Sequence, residues 1–230
     1  MPLHPASEYL DLTKTQAAGI FDGIGEVWEV IPRIAPWLAE NLKPRREFTY
    51  AGNAAGINIG DEVRIGRGTV IYGGVTIAGP AWIGENCLLL PGCYIRQNVI
   101  MGNNVIAGNS SEFKNCIVFD NVEAPHWNYV GDSILGYKSH LGAGVILSNW
   151  RHDGGPIPVL DPVAGRIETG LPKFGAIIGD HADLGARVVL NPGSLIGRRS
   201  ILYPGVVWRG TLPANRIVKL RQEQEVVERR

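Results

Sequence analysis

The sequence predicts an all-β solenoid of short strands, three to a coil. Glycine accounts for 30 of the 230 residues, and 45% of the residues are apolar, so the chain combines many turns with enough apolar side chains for a sizeable core. From residue 59 onward an apolar residue recurs at every sixth position, which fits neither a helix nor a long flat strand. Three such hexads form a coil of about 18 residues, stacked at roughly the 4.8 Å spacing of strands.

The hexads run without interruption through the middle of the chain. Their leading residue is expected to point inward and to stack on its equivalent one coil later, while a glycine beside it relaxes the backbone at the corner. Glycine follows the leading residue at positions 60, 66, 84, 102 and 108. Two later runs, 135–147 and 178–208, keep the same step in other phases. The first eleven leading residues are Ile59, Ile65, Ile71, Ile77, Ile83, Leu89, Ile95, Met101, Ala107, Phe113 and Phe119.

Both ends of the chain depart from the hexads. Residues 20–42 carry a helical apolar face that Pro32 and Pro36 divide into two short helices, so residues 1–50 are predicted to be a helical segment. The solenoid is predicted over 51–210, with an inserted loop at 150–175. Residues 211–230 are predicted to form a C-terminal helix and tail. Within the insert, residues 159–169 have the composition of a hairpin.

Charge and cysteine content exclude several classes of protein. The 22 Lys and Arg balance the 22 Asp and Glu, so the basic excess of a nucleic-acid-binding protein is missing. Three cysteines without metal-site spacing predict no disulfide framework. The first twelve residues lack the apolar core of a signal peptide, and no apolar run reaches 18 residues. We therefore expect a soluble, cytoplasmic protein that binds neither nucleic acid nor membrane.

Two cations stand where the hexad pattern places glycine. Arg96 and Lys114 are one predicted coil apart and are expected to stack on the same edge of the solenoid. Two unit charges about 5 Å apart repel each other by roughly 0.8 kcal/mol in water. A bound anion would relieve this repulsion, but so would two side chains that fan apart into solvent or pair with Glu112. The spacing alone leaves both readings open.

A histidine lies where the hexads lose their phase. His126 stands among polar residues between the first and second runs. Histidine is the usual general base for activating an amine or a water, although a lone histidine is more often structural. The longer interruption after residue 148 opens the inserted loop, and long excursions from a compact scaffold are often functional.

At these interruptions the chain resembles a known family. The hexads are similar to those of the hexapeptide-repeat acyltransferases, whose members form left-handed β-helices, whereas the usual crossover rule favours a right-handed winding. The segments that follow resemble the acetyltransferase domain of the bifunctional glucosamine-1-phosphate acetyltransferase/N-acetylglucosamine-1-phosphate uridyltransferases and of archaeal-type sugar-1-phosphate nucleotidylyltransferases. They are Glu112-Phe113-Lys114, His126, Tyr129-Val130-Gly131-Asp132, Leu141-Gly142-Ala143-Gly144, Ser148-Asn149 and residues 167–180.

The resemblance implies roles for individual residues. It implies an N-acetyltransferase that transfers acetyl from acetyl-CoA to an amino-sugar 1-phosphate, with His126 as the base, no metal, and a homotrimer with its cleft between neighbouring solenoids. Glu112 is a candidate to orient His126. The implied binding residues are Arg96 and Lys114 for the phosphate, Tyr129 and Asn149 for the sugar, and Ala143, Ala186 and Pro204 for acetyl-CoA.

Three departures from the family pattern bear on specificity. His140 stands where the family has asparagine, and we count it among the candidate substrate-binding residues. Trp150 replaces a tyrosine of the bacterial proteins. The lysines expected in the following loop are missing, and Lys173 alone remains as a candidate for the CoA phosphates. The sequence shows no glycine-rich nucleotide loop, so no nucleotidylyltransferase activity is expected.

Two other functions are compatible with the sequence. The loss of the loop lysines favours a non-catalytic module that binds sugar phosphates or nucleotide sugars. The solenoid fold also carries metal hydratases of the γ-carbonic anhydrase type, which need three histidines on one ion. The histidines available for such a site are His126, His140, His152 and His181.

Overall fold

A computed structural model describes residues 2–52 and 54–229, so that Met1, Asn53 and Arg230 lie outside the described residues. The predicted short N-terminal helices are confirmed. Pro36 lies in the first turn of the last of them, where a missing N–H costs no helical hydrogen bond. No helix in 2–52 or 54–229 has the length and apolar character of a membrane span. The helices are Ala6–Tyr9 and Ile34–Asn41, with 3₁₀ helices at Leu12–Lys14, Ala18–Phe21 and Val27–Arg33.

The strands form a parallel β-helix with three faces, which confirms the predicted solenoid. Strand Val63–Tyr72 bends around a corner and belongs to faces 1 and 2 at once. Strand Arg45–Ala51 pairs with it at the N-terminal end. Face 1 continues with Ala81–Ile83, Val99–Met101, Cys116–Val118, Ile134–Leu135, Ala176–Ile178, Ser194–Ile196 and Thr211–Leu212. Face 2 continues with Leu88–Leu89, Ile106–Asn109, Glu123–His126, His140–Leu141, Asp183–Leu184, Ile201–Leu202 and Ile217–Val218. Face 3 contains Asn58–Ile59, Thr76–Ile77, Tyr94–Ile95, Glu112–Lys114, Tyr129–Gly131, Ile146–Leu147, Val189–Leu190 and Val207–Trp208.

The inward residues stack as the hexads predict, with one correction. Ile59, Ile77 and Ile95 lie directly above one another on face 3. On face 1, however, Val118 rather than Phe119 occupies the inward position between neighbouring coils. The turn that follows Phe113 is one residue short, which moves the register forward by one. Phe119 is still fully buried, because its ring packs 6.0 Å from that of Phe21 under the N-terminal helices.

Face 1 is covered by the N-terminal helices. Its outward residues Ile100, Ile117 and Ile177 are at most 1% exposed, although outward residues of a solenoid normally meet solvent. The ring of Trp37, from the last helix, lies 5.6 Å from that of Trp82 on this face. The helices therefore give the solenoid a second apolar layer on one side, and they leave faces 2 and 3 free.

The glycines after the leading residues are required by crowding rather than by backbone freedom. None of the five, at 60, 66, 84, 102 and 108, adopts a positive φ. A Cβ at Gly108 would instead stand 1.8 Å from the backbone carbonyl carbon of Pro125 on the next coil. Glycine is therefore needed at these corners for space and not, as predicted, to relax the backbone. The neighbouring coils approach each other too closely there for a side chain.

The predicted hairpin in the insert is confirmed, and the predicted C-terminal helix is wrong for the described residues. Strands Pro158–Asp161 and Gly165–Glu168 pair in antiparallel fashion, and Asp161 Oδ1 accepts the Val163 and Ala164 amides at 2.8 and 2.6 Å. At the C-terminus the solenoid continues to Ile217–Val218, and residues 219–229 contain neither helix nor strand. Their charged sequence has no apolar stripe that could pack a helix against the coils.

The three cysteines are core residues and should not react in the folded protein. Cys87, Cys93 and Cys116 are at most 1% exposed. Burial raises the pKa of Cys87 to about 11 and that of Cys93 to about 12, and it raises the pKa of Cys116 further. Because the thiolate is the reactive form, we expect a thiol reagent at pH 8 to modify none of them before denaturation and all three after it. One thiol reacting rapidly in the native protein would contradict this packing.

Candidate active site

His126 lies at the corner between faces 2 and 3, and its side chain is exposed. It ends the strand Glu123–His126, and its ring stands 6.2 Å from the exposed ring of Trp127. Trp127 has a φ of 48°, which turns the chain sharply after the histidine. The backbone N–H of His126 donates to Asn128 Oδ1 at 3.2 Å, which fixes the main chain here. The imidazole is therefore held at a rigid corner but remains open to a substrate.

The predicted acetyl-CoA residues continue this corner along the solenoid. A ladder of backbone hydrogen bonds joins successive coils: the carbonyl of His126 accepts the Gly144 amide at 2.9 Å, and that of Ala143 accepts the Arg187 amide at 2.8 Å. The carbonyl of Ala186 accepts the Gly205 amide at 2.9 Å, directly after Pro204. We call the line of His126, Ala143, Ala186 and Pro204 the His126 edge. Four residues separated by up to 78 positions in sequence thus lie on one line.

Two amides of the His126 edge have no acceptor. Within residues 2–52 and 54–229, the backbone N–H groups of Ala143 and Ala186 donate no hydrogen bond, and both residues are at least partly exposed. Arg187 follows Ala186, and the Nζ of Lys219 lies 5.3 Å from the Tyr203 ring, next to Pro204. The edge therefore offers free donors in its middle and cations towards its C-terminal end. Neither cation was predicted from the sequence, because both lie outside the loop that carries the family's lysines.

A second group of polar residues surrounds a buried carboxylate at the corner between faces 3 and 1. Asp132 is 3% exposed and has a φ of 49°. Lys114 Nζ lies 3.1 Å from its Oδ2, Asn115 Nδ2 donates to Oδ1 at 2.9 Å, and Asn149 Nδ2 donates to Oδ2 at 2.5 Å. We call these four residues, with Tyr129, the Asp132 cluster. Charge-assisted hydrogen bonds from three side chains compensate for the burial of this charge.

Tyr129 connects the cluster to face 3. Asn149 Nδ2 also donates to the Tyr129 hydroxyl oxygen, at 3.2 Å. Burial raises the pKa of Tyr129 above that of a free tyrosine, so the hydroxyl stays protonated at neutral pH and can donate a hydrogen bond. The structure thus brings together Lys114, Tyr129 and Asn149, all predicted from the sequence. Asp132 and Asn115, which hold them, were not predicted. The only sequence feature that pointed to this cluster was the dipeptide Gly131-Asp132 at an interruption of the hexads.

Arg96 lies one coil below Lys114, as predicted, but each cation has its own carboxylate. Arg96 Nη1 contacts Glu112 Oε1 at 2.8 Å, and both side chains are 34% exposed. The pairing with Glu112 was one of the two readings that the spacing left open. No hydrogen bond links Glu112 to His126 in the described part of the chain, so the predicted orienting contact is absent there. Arg96 is the more accessible of the two cations, because Lys114 is held against a buried partner.

Two predicted site residues lie apart from their expected partners. His140 is on face 2, where its Nδ1 lies 2.9 Å from Asp183 Oδ1, away from Tyr129 and Asn149. Lys173 is in the insert, with its Nζ 5.7 Å from the Trp150 ring. Lys173 also lines an apolar cavity of about 290 Å³ beside Asp132, so it adjoins the Asp132 cluster rather than the His126 edge.

The four histidines considered for a metal site lie in separate places. His126 and His181 are at different corners, His140 is on face 2, and His152 is in the insert. Among the described residues, no group of three His, Cys, Asp or Glu side chains could hold a metal ion. The geometry gives the hydratase reading no support.

Comparison with known proteins places this architecture in a family. Residues 77–210, more than half of the chain, match the family described as the GMPPB C-terminal domain. The chain belongs to this family. It is also 32% identical over 217 residues to the bifunctional protein GlmU of Methanococcus maripaludis, covering 92% of this chain and 50% of that protein. A putative uncharacterized acetyltransferase of Escherichia coli, YaiX, is 37% identical over 203 residues, covering 85% and 87% of the two chains.

The relatives differ from this chain in length. The chain spans 43% of the GlmU protein of Methanococcus vannielii and half of that of Methanococcus maripaludis. Among solved structures, the UDP-N-acetylglucosamine acyltransferase of Arabidopsis is similar with a TM-score of 0.44 and 14% identity, over 76% of this chain and 70% of that one. The match to the GMPPB C-terminal domain family covers the coils that carry both the His126 edge and the Asp132 cluster.

Proposed function

We propose that this protein is an acetyl-CoA-dependent N-acetyltransferase that acts on an amino-sugar 1-phosphate. One observation carries the proposal: an exposed histidine stands at the end of an edge whose next two coils present free backbone amides. Acyl transfer to an amine needs a general base for the amine and, close to it, hydrogen-bond donors for the carbonyl oxygen. Two relatives, a bifunctional protein GlmU and a putative uncharacterized acetyltransferase, support the same reaction class.

Residues on and beside the His126 edge have different roles in the proposed reaction. The amine nitrogen of the sugar attacks the thioester carbonyl carbon, and His126 accepts the proton that the nitrogen loses. The amide bond forms as the carbon–sulfur bond breaks, and the CoA thiolate leaves. A free amide of the edge, at Ala143, stabilises the negative charge that develops on the carbonyl oxygen. Arg187 and Lys219 supply positive charge for the phosphates of CoA.

The amino sugar lies on face 3 in this proposal. Tyr129 and Asn149 hydrogen-bond its hydroxyls, and Arg96 binds its phosphate with the guanidinium N–H groups that Glu112 leaves free.

We expect Arg96→Ala to raise KM for the sugar phosphate at least about tenfold, with a smaller change in kcat, because a charge-assisted contact to the bound substrate is lost. Steady-state kinetics measure this effect. Arg67→Ala, which removes an exposed arginine from another corner, is the control, and equal KM values for the two variants would contradict the assignment.

The exposure of His126 supports a homotrimer with the cleft between neighbouring solenoids. In a single chain the imidazole faces solvent, whereas a transferase must keep water away from the thioester. A neighbouring solenoid packed beside face 3 would cover the histidine and join the two halves of the site. Sedimentation equilibrium is expected to give three times the chain mass of 25.0 kDa. A monomer that is fully active would contradict this arrangement.

The function is tested by thiol release. Acetyl-CoA is mixed with glucosamine 1-phosphate or galactosamine 1-phosphate, and the free thiol of CoA is followed with a chromogenic reagent. We expect release that depends on the amino sugar and does not occur with glucose 1-phosphate, which has no amine. Release at the same rate without an acceptor would show hydrolysis instead of transfer.

The second candidate is a non-catalytic module that binds sugar phosphates or nucleotide sugars. It is favoured by the absence of lysines from residues 154–158. Such a module would be stabilised against heating by a sugar phosphate but not by acetyl-CoA. The transferase is expected to be stabilised by both. A melting curve with each compound separates the two functions without an activity assay.

A further inference from the structure

The corner between faces 1 and 2 carries an irregularity of its own. At this corner one residue of each coil adopts a left-handed conformation, with φ between 53° and 60°, and its amide donates to the coil below. Asparagine is the residue other than glycine that tolerates this conformation best. Along the solenoid the positions read Asn86, Asn104, Asn121, Lys138, His181, Arg199 and Asn215.

Three consecutive coils therefore replace asparagine with a basic residue. Lys138, His181 and Arg199 stack on one another at about the 4.8 Å spacing of coils. The left-handed backbone favours none of the three. Backbone strain that a protein retains is a reason to look for function at the same place.

His181 and Arg199 border a cavity of about 390 Å³ on the same corner. Lys14, from a 3₁₀ helix of the N-terminal segment, and Arg198 line it together with Tyr137. The ammonium groups of Lys14 and Lys138 lie 5.5 and 5.4 Å from the centre of the Tyr137 ring, and the His181 ring meets it edge-on at 5.4 Å. Basic groups from the helical segment and from two coils thus line one space of ligand size, and Lys138 contacts Tyr137, which lines the same space.

The acidic residues of the cavity are already engaged. Asp180 Oδ1 accepts the Tyr137 amide at 2.8 Å, and Asp180 Oδ2 accepts the Asp11 amide at 2.7 Å and lies 3.3 Å from Arg198. Asp11 Oδ1 accepts both the amide and the hydroxyl of Thr13. Within the described residues Lys14, Lys138 and Arg199 have no carboxylate within 4.0 Å, and the buried Nε of Arg198 has no hydrogen-bond partner.

We propose that this basic corner, formed by Lys14, Lys138, His181, Arg198 and Arg199, binds the diphosphate group of a small molecule. Basic side chains spread over two coil spacings fit two linked phosphates better than one. The site is at the corner opposite face 3, so a ligand bound there does not compete for the His126 edge. Two sources of the group are a free inorganic diphosphate and the diphosphate of a nucleotide or nucleotide sugar.

The proposal is tested by isothermal titration calorimetry with the full chain. Inorganic diphosphate, UDP, GDP and inorganic phosphate are titrated at low and high salt. We expect saturable binding of diphosphate compounds, one per chain, that weakens as salt increases. Equal binding of inorganic diphosphate and UDP assigns the site to the diphosphate group alone, and tighter binding of one nucleotide assigns it to that nucleotide. No saturable binding of any diphosphate up to about 1 mM would overturn the proposal.

The variants restore the residue that the other coils use. Arg199→Asn is expected to weaken diphosphate binding about tenfold, and the combined Lys138→Asn, His181→Asn and Arg199→Asn variant to abolish it. Since asparagine suits the left-handed position, the combined variant should melt no lower than the wild type without ligand. Arg187→Asn makes the same change at a left-handed position of the His126 edge, and it should leave this binding unchanged. Binding that survives the combined variant, or is lost in Arg187→Asn, would place the diphosphate elsewhere.

Discussion

His126→Ala lowers kcat/KM for acetyl transfer by about 10²–10⁴-fold, the usual contribution of a positioned general base. The side chain is exposed and its backbone is held by hydrogen bonds of its neighbours, so the variant should fold as the wild type does. The loss is expected in kcat, because the proton is transferred only when the amine attacks. Steady-state thiol release measures the rate, and a melting curve shows that the fold is unchanged.

The matched control for His126→Ala lies on the same strand. Glu123 is an exposed residue of Glu123–His126, three positions before the histidine. Glu123→Gln removes a charge near the site without touching the His126 edge, and its kcat/KM should stay within about twofold of the wild type. A His126→Ala variant with wild-type activity would rule out the histidine as the base.

Lys114→Ala lowers the free energy of unfolding by about 3–5 kcal/mol, because Asp132 then remains buried without its cationic partner. The side chain of Asp132 is only 4% exposed, and that of Lys114 is 21% exposed. For a chain of this size the melting temperature should fall by about 6–20 °C. Lys43→Ala, which removes an exposed lysine, should change it by no more than about 2 °C.

A double variant separates the charge effect from the loss of packing. Asp132→Asn keeps a residue that tolerates the φ of 49° and can still hydrogen-bond to Asn115 and Asn149. Combined with Lys114→Ala it leaves no unpaired charge, so the double variant should be more stable than Lys114→Ala alone. If Lys114→Ala has the same melting temperature as the wild type, the Asp132 cluster does not stabilise this corner. The two cations then differ in role: the loss of Arg96 is seen in KM, and the loss of Lys114 is seen mainly in stability.

The hexads were enough to predict the solenoid, because an apolar residue at every sixth position specifies which side chains point inward. Ala143, Ala186 and Pro204 were implied only by the family resemblance, and their alignment with His126 depends on the 43-residue coil through the insert. The roles of Asp132 and Asn115 were not predicted. Lys114 pairs in register with Gly131 because the coil there is one residue short, so Asp132 lies one residue beyond the in-register position, at the corner beside the Lys114 ammonium. The hexads lose their phase between residues 119 and 135, but this loss does not show which side chains meet there.

At the ends of the chain and at the basic corner, too, the sequence pattern did not predict which residues come into contact. The apolar spacing of residues 20–42 predicted helices, but nothing in it showed that they cover face 1. The charged C-terminal residues resembled a helix, although the solenoid continues through Val218. Lys138, His181 and Arg199 are scattered in sequence, and they become a group only when the 43-residue coil through the insert brings residues 138 and 181 into register.

Transfer of a labelled acetyl group tests the central claim most directly. Acetyl-CoA carrying ¹³C in its acetyl carbonyl is incubated with the protein and glucosamine 1-phosphate or galactosamine 1-phosphate, and the products are followed by NMR. The proposed reaction predicts that the label moves from the thioester to an amide on the sugar nitrogen, in equal amount to the thiol released, and far more slowly with His126→Ala. Label that stays in the thioester, or is found only as free acetate, would contradict it.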